Sequence, residues 1–437
     1  MAILTSLFSS VSGINAFGTG LSVVSNNIAN MATVGFKDSS IAFADVIGGN
    51  LSGASSGSEV GHGVSVNSIR SQFTQGSFET TGNGLDLALD GDGFFQLQSP
   101  AGAEAFTRAG LFSVNKDGFI VNPDGLFLQG YQADPTGNLS GQVGNLNVPS
   151  TTFPPQATTA LDLVANIDSR ATAPAAFDVN NPTTTSNFST SLSVFDSLGN
   201  GHLVSVYFRK DAPVVPAPSG GNTWQWFAVV NANDSASGTA QIQAQGTLTF
   251  TPNGELDTEA TGVSPTGGFD FSGGAAQNQA ISLDFGNSIT TDGGTGMDGV
   301  TQFGSTSAVL NQIQDGYGSG SLQRISVNND GLITGLFTNG KSRTLGGITL
   351  GRFNNPQGLG KLGNNLYAIS AESGQPILGA PNSAGMGKIL PNSLELSNVD
   401  LAEQFVKMIE FQRGFQANSR VITVTDGMLQ ELVNLVH

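Results

Sequence analysis

Apolar side chains recur at alternating intervals of three and four residues at both ends of the chain, with a polar, glycine-rich region between them. Near the start, the repeat runs through Ile3, Leu7, Ser10, Ile14, Phe17, Leu21, Val24 and Ile28. Near the end, it runs through Leu401, Phe405, Met408, Gln412, Phe415, Ser419, Ile422, Asp426, Leu429, Val433 and Val436. This spacing is typical of paired helices, so it predicts a helix over 1–30 and another over 400–437.

The predicted N-terminal helix carries no charge, because the first charged side chain of the sequence is Lys37. Its polar face consists of Ser, Thr and Asn, whereas an exposed helix normally presents Lys and Glu to water. A buried core helix is one interpretation, and a helix surrounded by copies of itself is the one we favour. Gly13, Gly18 and Gly20 weaken the isolated helix by about 1 kcal/mol each relative to Ala, but they allow close backbone approach.

The predicted C-terminal helix differs because it carries charges along its length. Glu403 and Lys407 are spaced as an i,i+4 pair in the favourable order. Asn398 is a candidate N-cap. We therefore expect the N-terminal helix to be the more enclosed of the two, and we expect the helices to meet as a pair.

Between the helices, the pattern changes to the alternation that is typical of β-strands. Apolar and polar residues alternate over 85–90, and the Gly-Asp-Gly turn at 91–93 then predicts a hairpin with the strand that follows. A second hairpin is predicted around the turn at 198–201, and further strands are predicted over 224–230 and 242–250.

The order of these segments indicates nested domains. Residues 148–188 are rich in Thr, Pro, Ala and Asn, which is typical of a boundary. The sequence at 329–333 then echoes that at 115–120, as if an earlier β domain resumed after an insertion. The predicted parts are a terminal helical core over 1–30 and 400–437, a connecting region over 31–70 and 376–399 with a flexible linker at 51–63, a first β domain over 71–147 and 315–375, and an inserted outer β domain over 148–314.

Composition narrows the class of protein. A formal net charge of -17 with no basic run argues against nucleic acid or an anionic membrane as partner. The absence of cysteine excludes disulfides and thiolate chemistry. The sequence has no continuous run of 18 apolar residues, so we expect no membrane-spanning helix. The N-terminus lacks the basic start and apolar core of a cleaved signal peptide, so we expect any export to use another route.

No constellation of residues suggests catalysis. The histidines at 62, 202 and 437 do not form a metal-ligand pattern. The GxGxxG string at 358–363 precedes a strand-like segment instead of a phosphate-binding helix. Trp224 and Trp226 could serve a carbohydrate-binding adhesin, but their alternation is as easily that of core residues. We predict no catalytic residue, cofactor or metal site, and a secreted β-rich adhesin or surface protein remains an alternative to an assembly subunit.

Residues 12–37, SGINAFGTGLSVVSNNIANMATVGFK, closely resemble the N-terminal signature of the bacterial flagellar rod and hook family of axial proteins. The signature residues are Asn26, Asn27, Asn30, Gly35, Phe36 and Lys37. Further segments that resemble the family are 91–95, 106–110, 397–401, 412–413 and 416–418. The resemblance covers roughly residues 1–145 and 315–437.

The resemblance implies a mainly β protein with terminal α-helices, in which nested β domains are inserted between an N- and C-terminal coiled-coil helix pair. It also implies a structural role in an extracellular flagellar tube that is curved, hollow and bendable and transmits torque from rod to filament. Rod subunits are shorter, and the insertion at 148–314 looks like the outer domain of a hook subunit. A distal rod subunit remains an alternative.

The partners implied by the resemblance are further copies of the chain, a distal rod protein, a hook cap protein, a hook-filament junction protein and the flagellar export apparatus. Nucleic acid, membrane insertion and cofactors are not implied. The terminal helices would line the channel of the tube. The residues expected to form the assembly surface are Ile3, Leu7, Ile14, Phe17, Leu21, Val24 and Ile28 on the first helix and Leu401, Phe405, Met408, Phe415, Ile422, Leu429, Val433 and Val436 on the second.

Overall fold

A computed structural model describes residues 2–47, 61–148, 152–212, 222–262 and 267–435. It is mainly β with a helix near each terminus, which confirms the predicted fold class. The chain forms a compact helical unit from residues 1–150, 323–336 and 342–437 and a compact inserted unit from residues 151–322 and 337–341.

Helix α1 spans Ala2–Ala29 and helix α2 spans Leu401–Leu435. The predicted N-cap of α2 is wrong. Asp400 is the cap, because its carboxylate accepts hydrogen bonds from the backbone N–H groups of Ala402 and Glu403 at 2.8 and 3.2 Å. In the first two turns of α2, the Lys407 ammonium lies 2.6 Å from the Glu403 carboxylate, as the i,i+4 spacing predicts.

The strands follow in chain order. The first group is β1 Ser39–Ile47, β2 Gly61–Ser71, β3 Phe78–Thr80, β4 Leu87–Asp90, β5 Phe94–Gln98, β6 Glu104–Thr107, β7 Ser113–Val114, β8 Ile120–Val121, β9 Phe127–Ala133 and β10 Leu139–Asn145. The second group is β11 Ala160–Asn166, β12 Phe188–Phe195, β13 Gly201–Lys210, β14 Thr223–Val230, β15 Gln241–Phe250, β16 Leu256–Thr261, β17 Ser282–Asp284 and β18 Ala308–Gln314. The third group is β19 Leu322–Val327, β20 Leu332–Phe337, β21 Ser342–Ile348, β22 Leu350–Arg352, β23 Gly360–Gly363, β24 Leu366–Ala368, β25 Ile377–Gly379, β26 Lys388–Pro391 and β27 Ser393–Glu395.

The region 31–70, predicted as a connecting segment, contains an antiparallel pair. Strand β1 pairs with β2 from Ser39 opposite Ser71 to Ile47 opposite Gly61. The predicted linker lies partly outside the described residues, and its last residues, 61–63, begin β2. Sequence reasoning missed the pair because its strands are rich in Ser and Ala and show no clean alternation.

The main sheet of the helical unit runs in the order β19-β20-β21-β9-β5-β6-β24-β23. The hairpin predicted around 91–93 is wrong, since β4 pairs with β26 while β5 pairs with β6, β9 and β22. The Gly-Asp-Gly turn reverses the chain, but it passes β5 into a different sheet. The C-terminal segment instead supplies the partner that the buried Leu87, Ala88 and Leu89 of β4 require.

The inserted unit contains an antiparallel sheet in the order β12-β13-β14-β15-β16 and a smaller sheet in the order β17-β11-β18. The hairpin predicted around 198–201 is confirmed, because β12 pairs with β13 across it. The strands predicted at 224–230 and 242–250 are β14 and β15. Trp224 and Trp226 are fully buried in the core of this unit, so they are not a surface for carbohydrate.

The inserted unit extends beyond residue 314, where the sequence placed the end of the insertion. The Phe153 ring lies 5.5 Å from that of Tyr317 and 4.8 Å from that of Phe337, measured between centroids. These contacts hold 315–322 and 337–341 with the inserted unit. The division into four parts stays a prediction.

Glu259 of β16 makes the stability of the inserted unit depend on pH. Burial, together with the negative charges of Asp284 and Asp292, raises the pKa of Glu259 to about 7. This pKa lies above the value of about 4.3 for a glutamate in the unfolded chain. The contribution of protonated Glu259 to the free energy of unfolding is therefore complete below about pH 4.3 and is lost as the pH rises through about 7.

We therefore expect Glu259→Gln to stabilise the inserted unit at pH 8 by about 1 kcal/mol, or roughly 3 °C, and to have a much smaller effect near pH 4.5. The tryptophan fluorescence of thermal unfolding reports this unit, because both tryptophans of the chain lie in it. Glu104→Gln, at an exposed position of the helical unit, is the control. An equal gain in unfolding temperature at both pH values would contradict a raised pKa of Glu259.

Candidate assembly surface and signature junction

Helices α1 and α2 pack together through small residues. A Cβ added to Gly20 would lie 2.9 Å from the Phe411 ring, and one added to Gly13 would lie 2.8 Å from the Asn418 side-chain oxygen. Next to Gly18 there is open space. Glycine at 13 and 20 therefore permits the close approach of the helices that the sequence suggested.

An aromatic cluster joins the helix pair to the β1–β2 pair. The ring centroids of Phe17, Phe43 and Phe411 lie 5.9 to 6.2 Å apart, within the range of favourable aromatic contacts. The backbone N–H of Val64 on β2 also donates to the Ser12 hydroxyl of α1 at 3.1 Å. The two helices and the β1–β2 pair of one chain therefore pack against each other.

The apolar repeat predicted on α1 is mostly not the part of the helix that is buried. Most of its residues lie beside a stripe of buried residues. Val24 is 2% exposed, so it is a core residue of this chain and is unavailable to a second copy. The other repeat residues that the structure describes are half-buried, and they are Leu7, Ile14, Phe17, Leu21 and Ile28. The side chain of Ile3 lies outside the described residues. The buried stripe itself consists of Ser10, Gly13, Ala16, Gly20, Val24 and Asn27.

The repeat predicted on α2 divides into two sets. Met408, Ile422 and Leu429 are half-buried. Leu401, Phe405 and Phe415 are exposed. The side chain of Val433 and the whole of Val436 lie outside the described residues.

Sequence reasoning missed a set of exposed apolar residues on α2, which we call the outer strip. At about 100° per residue, Val406, Ile409 and Val424 lie opposite the buried Gln404 and the half-buried Phe411. Val421 and Met428 lie on the flank of α2, toward the side of Gly414, which contacts Phe17 of α1. The exposed fractions of the outer-strip residues range from 42% to 58%. The outer strip consists of Val406, Ile409, Val421, Val424 and Met428. The sequence contained a signal for the outer strip, because these apolar residues fall at positions outside the 3,4 repeat.

The signature residue Asn27 ties the end of α1 to both β1 and α2. Its side-chain amide donates to the Ser39 carbonyl at 2.9 Å and to the Gln404 side-chain oxygen at 3.1 Å. Its side-chain oxygen accepts from the Ser39 N–H at 2.9 Å. Asn398 accepts from the Asp38 N–H at 2.7 Å in a similar way, so amide side chains fix the chain on either side of the helix ends.

Lys37 forms a buried ion pair at the end of the signature. Its ammonium lies 2.5 Å from the Glu395 carboxylate and donates to the Thr74 carbonyl at 2.7 Å. Both paired side chains are fully buried. The same carboxylate accepts from the Gly76 N–H at 3.0 Å and lies 3.6 Å from the Arg108 guanidinium. Burial lowers the pKa of Lys37, and the Glu395 carboxylate opposes that effect.

The remaining signature residues shape the turn after α1. Gly35 has a φ of +68°, and a Cβ there would lie 2.6 Å from the Ala109 backbone nitrogen, so only glycine fits. Asn30 donates to the Asn26 carbonyl at 2.9 Å, and Phe36 is buried. The signature therefore positions the helices on the β-rich part of the unit through internal contacts.

By the test of length and composition alone, one segment of α1 is a candidate membrane span, which the sequence analysis did not expect. Residues Thr5–Ala29 of α1 pass that test, because they carry no charge and include many Ala, Val, Leu and Ile. The same residues contain the polar Ser and Asn positions described above, and part of this segment is buried against the chain.

Comparison with known families covers most of the chain. Residues 7–37 match the flagella basal body rod protein family, and 88–165 match the flagellar hook protein FlgE/F/G D1 domain. Residues 166–317 match the flagellar basal body protein FlaE D2 domain, and 390–435 match the flagellar basal body rod FlgEFG protein C-terminal family.

Full-length relatives agree with these matches. The flagellar hook protein FlgE of Escherichia coli K12 is 35% identical over 431 residues, which cover 97% of this chain and 98% of the relative. FlgE of Borreliella burgdorferi is 35% identical and FlgE of Treponema pallidum is 33% identical, each over 99% of this chain and 100% of the relative. The crystal structure of Helicobacter pylori FlgE2 matches 72% of this chain and 100% of that chain at 16% identity, with a TM-score of 0.48.

Proposed function

This chain belongs to the flagellar hook protein family and is a structural subunit of the bacterial flagellar hook, and from that premise we propose that the α1–α2 pair is the element through which copies assemble. The full-length relatives are hook proteins, and both termini match axial-protein families, which fits a polymeric, exported flagellar component. A distal rod subunit is disfavoured, because the relatives named above are hook proteins over almost their whole length.

The observation that carries this proposal is the outer strip of α2. A soluble monomer rarely exposes a set of large apolar side chains along one helix without a partner for it. Helix α1 covers the opposite face of α2, so the outer strip is left for a second copy. Phe405 of the predicted repeat, which is 48% exposed and lies four residues before Ile409, extends this surface.

We propose that the assembled chain is a curved hollow tube in which the helix pairs line the channel. An uncharged α1 suits a wall that packs closely and lets unfolded chains pass. At the tube ends, the proposed partners are a distal rod protein, a hook cap protein and a hook-filament junction protein, with the flagellar export apparatus as the delivery route. The proposed role is mechanical and includes no catalytic step.

We propose that α1 packs in this polymer instead of crossing a bilayer. In its buried stripe, Asn27 already pairs with α2 and β1, and beside that stripe Ser12 accepts from β2. Insertion into a membrane would break these hydrogen bonds and leave polar groups without partners in hydrocarbon.

Electron microscopy after induced polymerisation tests the proposal. We expect curved tubes from the full chain and monomers from a chain that lacks residues 1–30 and 400–437. Tubes from the truncated chain would contradict a role for the helix pair. Dispersed monomers from both chains would contradict assembly itself.

The matched glycines of α1 provide a finer test of helix packing. Gly20→Ala should lower the temperature at which tubes dissociate, because its methyl group would meet the Phe411 ring, which Phe17 and Phe43 flank. Gly18→Ala should raise that temperature, because the site is open and Ala favours the helix by about 1 kcal/mol. Equal shifts in the two variants would contradict the packing described here.

A further inference from the structure

A cavity in the helical unit lies beside the buried ion pair of the signature. Its volume is about 230 Å³, and the residues that line it include Phe73, Phe94, Phe353, Asp92, Arg108 and Arg352. The site therefore combines aromatic walls with two guanidinium groups, a combination that the assembly role of the helices does not use.

Arg108 is unusual because its side chain is 4% exposed and yet incompletely paired. Its guanidinium lies over the Phe94 ring, 5.2 Å from the centroid, and 3.6 Å from a Glu395 oxygen. Within the part of the chain that the structure describes, its Nε–H has no hydrogen-bond partner. A buried donor without an acceptor is costly, so an acceptor supplied from outside the chain would be favoured.

The charges around the cavity leave a positive surplus. Glu395 is already engaged by Lys37 at 2.5 Å. Asp92 is the acidic residue among the lining residues described. Arg352 is half-buried and makes no ion pair with any residue that the structure describes. One guanidinium charge at the cavity is therefore uncompensated.

We propose that this cavity receives the carboxylate of an Asp or Glu side chain from a second copy of the chain. Guanidinium groups bind carboxylates through paired N–H donors, and this is a strong form of charge-assisted hydrogen bond. The aromatic walls suit the methylene stem that carries the carboxylate. The inference rests on the proposed assembly of copies and adds a polar contact to the apolar one made by the outer strip.

A second copy is the occupant that the charge balance favours. The chain carries 33 acidic and 16 basic residues, so a neighbouring copy presents many carboxylates and few competing cations. In a polymer, each copy holds its neighbour at high effective concentration, so a contact too weak to form between free monomers becomes occupied. Every subunit then repeats the contact.

Arg352→Gln tests the energetic side of the proposal. We expect it to raise the critical concentration for tube formation about tenfold while leaving the unfolding of the monomer unchanged, because Arg352 makes no ion pair with the described residues. Arg324→Gln, at an exposed arginine outside the cavity, should leave the critical concentration unchanged. Assembly of Arg352→Gln at the wild-type concentration would overturn the proposal.

Arg352→Lys tests which group occupies the cavity, because a carbodiimide joins lysine, but not arginine, to a nearby carboxylate. Tubes grown from equal parts of ¹⁴N- and ¹⁵N-labelled copies are treated, and peptides that contain position 352 are analysed by mass spectrometry. We expect mixed-isotope peptides in which position 352 is joined to an Asp or Glu. Joining only within one copy would overturn the proposal, and so would saturation of the monomer by micromolar glutarate, which would indicate a small-molecule site.

These outcomes separate the inference from the proposed function. If Arg352 variants behave as wild type while truncation of the helices abolishes tubes, the cavity proposal fails and the assembly role of the helices stands. If the wild-type chain forms no tubes, the assembly role fails and the cavity proposal fails with it.

Discussion

Replacing Ile409 and Val424 together with Glu should abolish tube formation at concentrations where the wild-type chain assembles. These residues are 49% and 58% exposed on the outer strip, so the substitutions should not disturb the monomer. Burial of each side chain against a second copy contributes about 1.5–3 kcal/mol, and burial of an unpaired carboxylate there adds a further penalty. The expected rise in critical concentration is therefore at least a hundredfold, measured by sedimentation of the polymer.

The matched control adds the same charges to α2 at positions that are already polar. Gln412→Glu combined with Ser419→Glu should assemble within a fewfold of the wild-type critical concentration, because these exposed polar residues lie about 60° or more around α2 from the outer strip. If both double variants fail equally, the added charge and not the outer strip is responsible. If the Ile409 and Val424 variant forms normal tubes, the outer strip is not an interface.

Lys37→Met should destabilise the helical unit by about 3–5 kcal/mol. The substitution leaves the Glu395 carboxylate buried, with the Gly76 N–H at 3.0 Å and a guanidinium at 3.6 Å as its remaining partners. Removal of one member of a buried pair costs more than the pair itself contributes, because the other charge stays without compensation. Since Lys37 belongs to the family signature, the variant should also lower the yield of assembled tubes.

Lys388→Met is the matched control for that prediction. Lys388 also pairs with a carboxylate of the same unit, that of Asp90 at 3.1 Å, but both side chains are more than 40% exposed. Loss of such a pair should cost less than about 1 kcal/mol. Similar losses of stability in the two variants would show that burial of the Lys37 pair is not the cause.

Two optical signals separate the units in these experiments. Tryptophan fluorescence reports the inserted unit alone, whereas backbone circular dichroism reports both units. Urea unfolding of Lys37→Met should therefore show an earlier transition in circular dichroism and an unchanged transition in fluorescence. A shift in the fluorescence transition would contradict an effect confined to the helical unit.

The features that sequence reasoning predicted correctly have local causes. The helices follow from a sustained apolar repeat, and the turn at 198–201 follows from Gly and Asn between alternating strands. Of the three helix glycines that the sequence marked for close approach, Gly13 and Gly20 meet side chains of α2, whereas the prediction for Gly18 is wrong because the space beside it is open. The alternation of Trp224 and Trp226 with Gln225 placed both rings on one face but left open whether that face was core, and the structure buries both.

The features that sequence reasoning missed depend on distant segments. Strand β4 takes its partner from β26, almost 300 residues later, and no local turn signal encodes that choice. Asn398 has the chemistry of an N-cap, but Asp38 and Gln72 compete for its side chain. The Lys37–Glu395 pair joins residues from opposite ends of the sequence, so the motif around Lys37 indicated its importance without revealing its partner.

Helical reconstruction of the assembled tube by electron cryo-microscopy, at side-chain resolution, tests the central claim most directly. The quantity to measure is the accessible surface of Val406, Ile409, Val424 and Met428 in the polymer. We expect these side chains to be buried against a second copy, with α1 and α2 forming the channel wall. Outer-strip residues that remain as exposed in the tube as in the single chain would contradict the account.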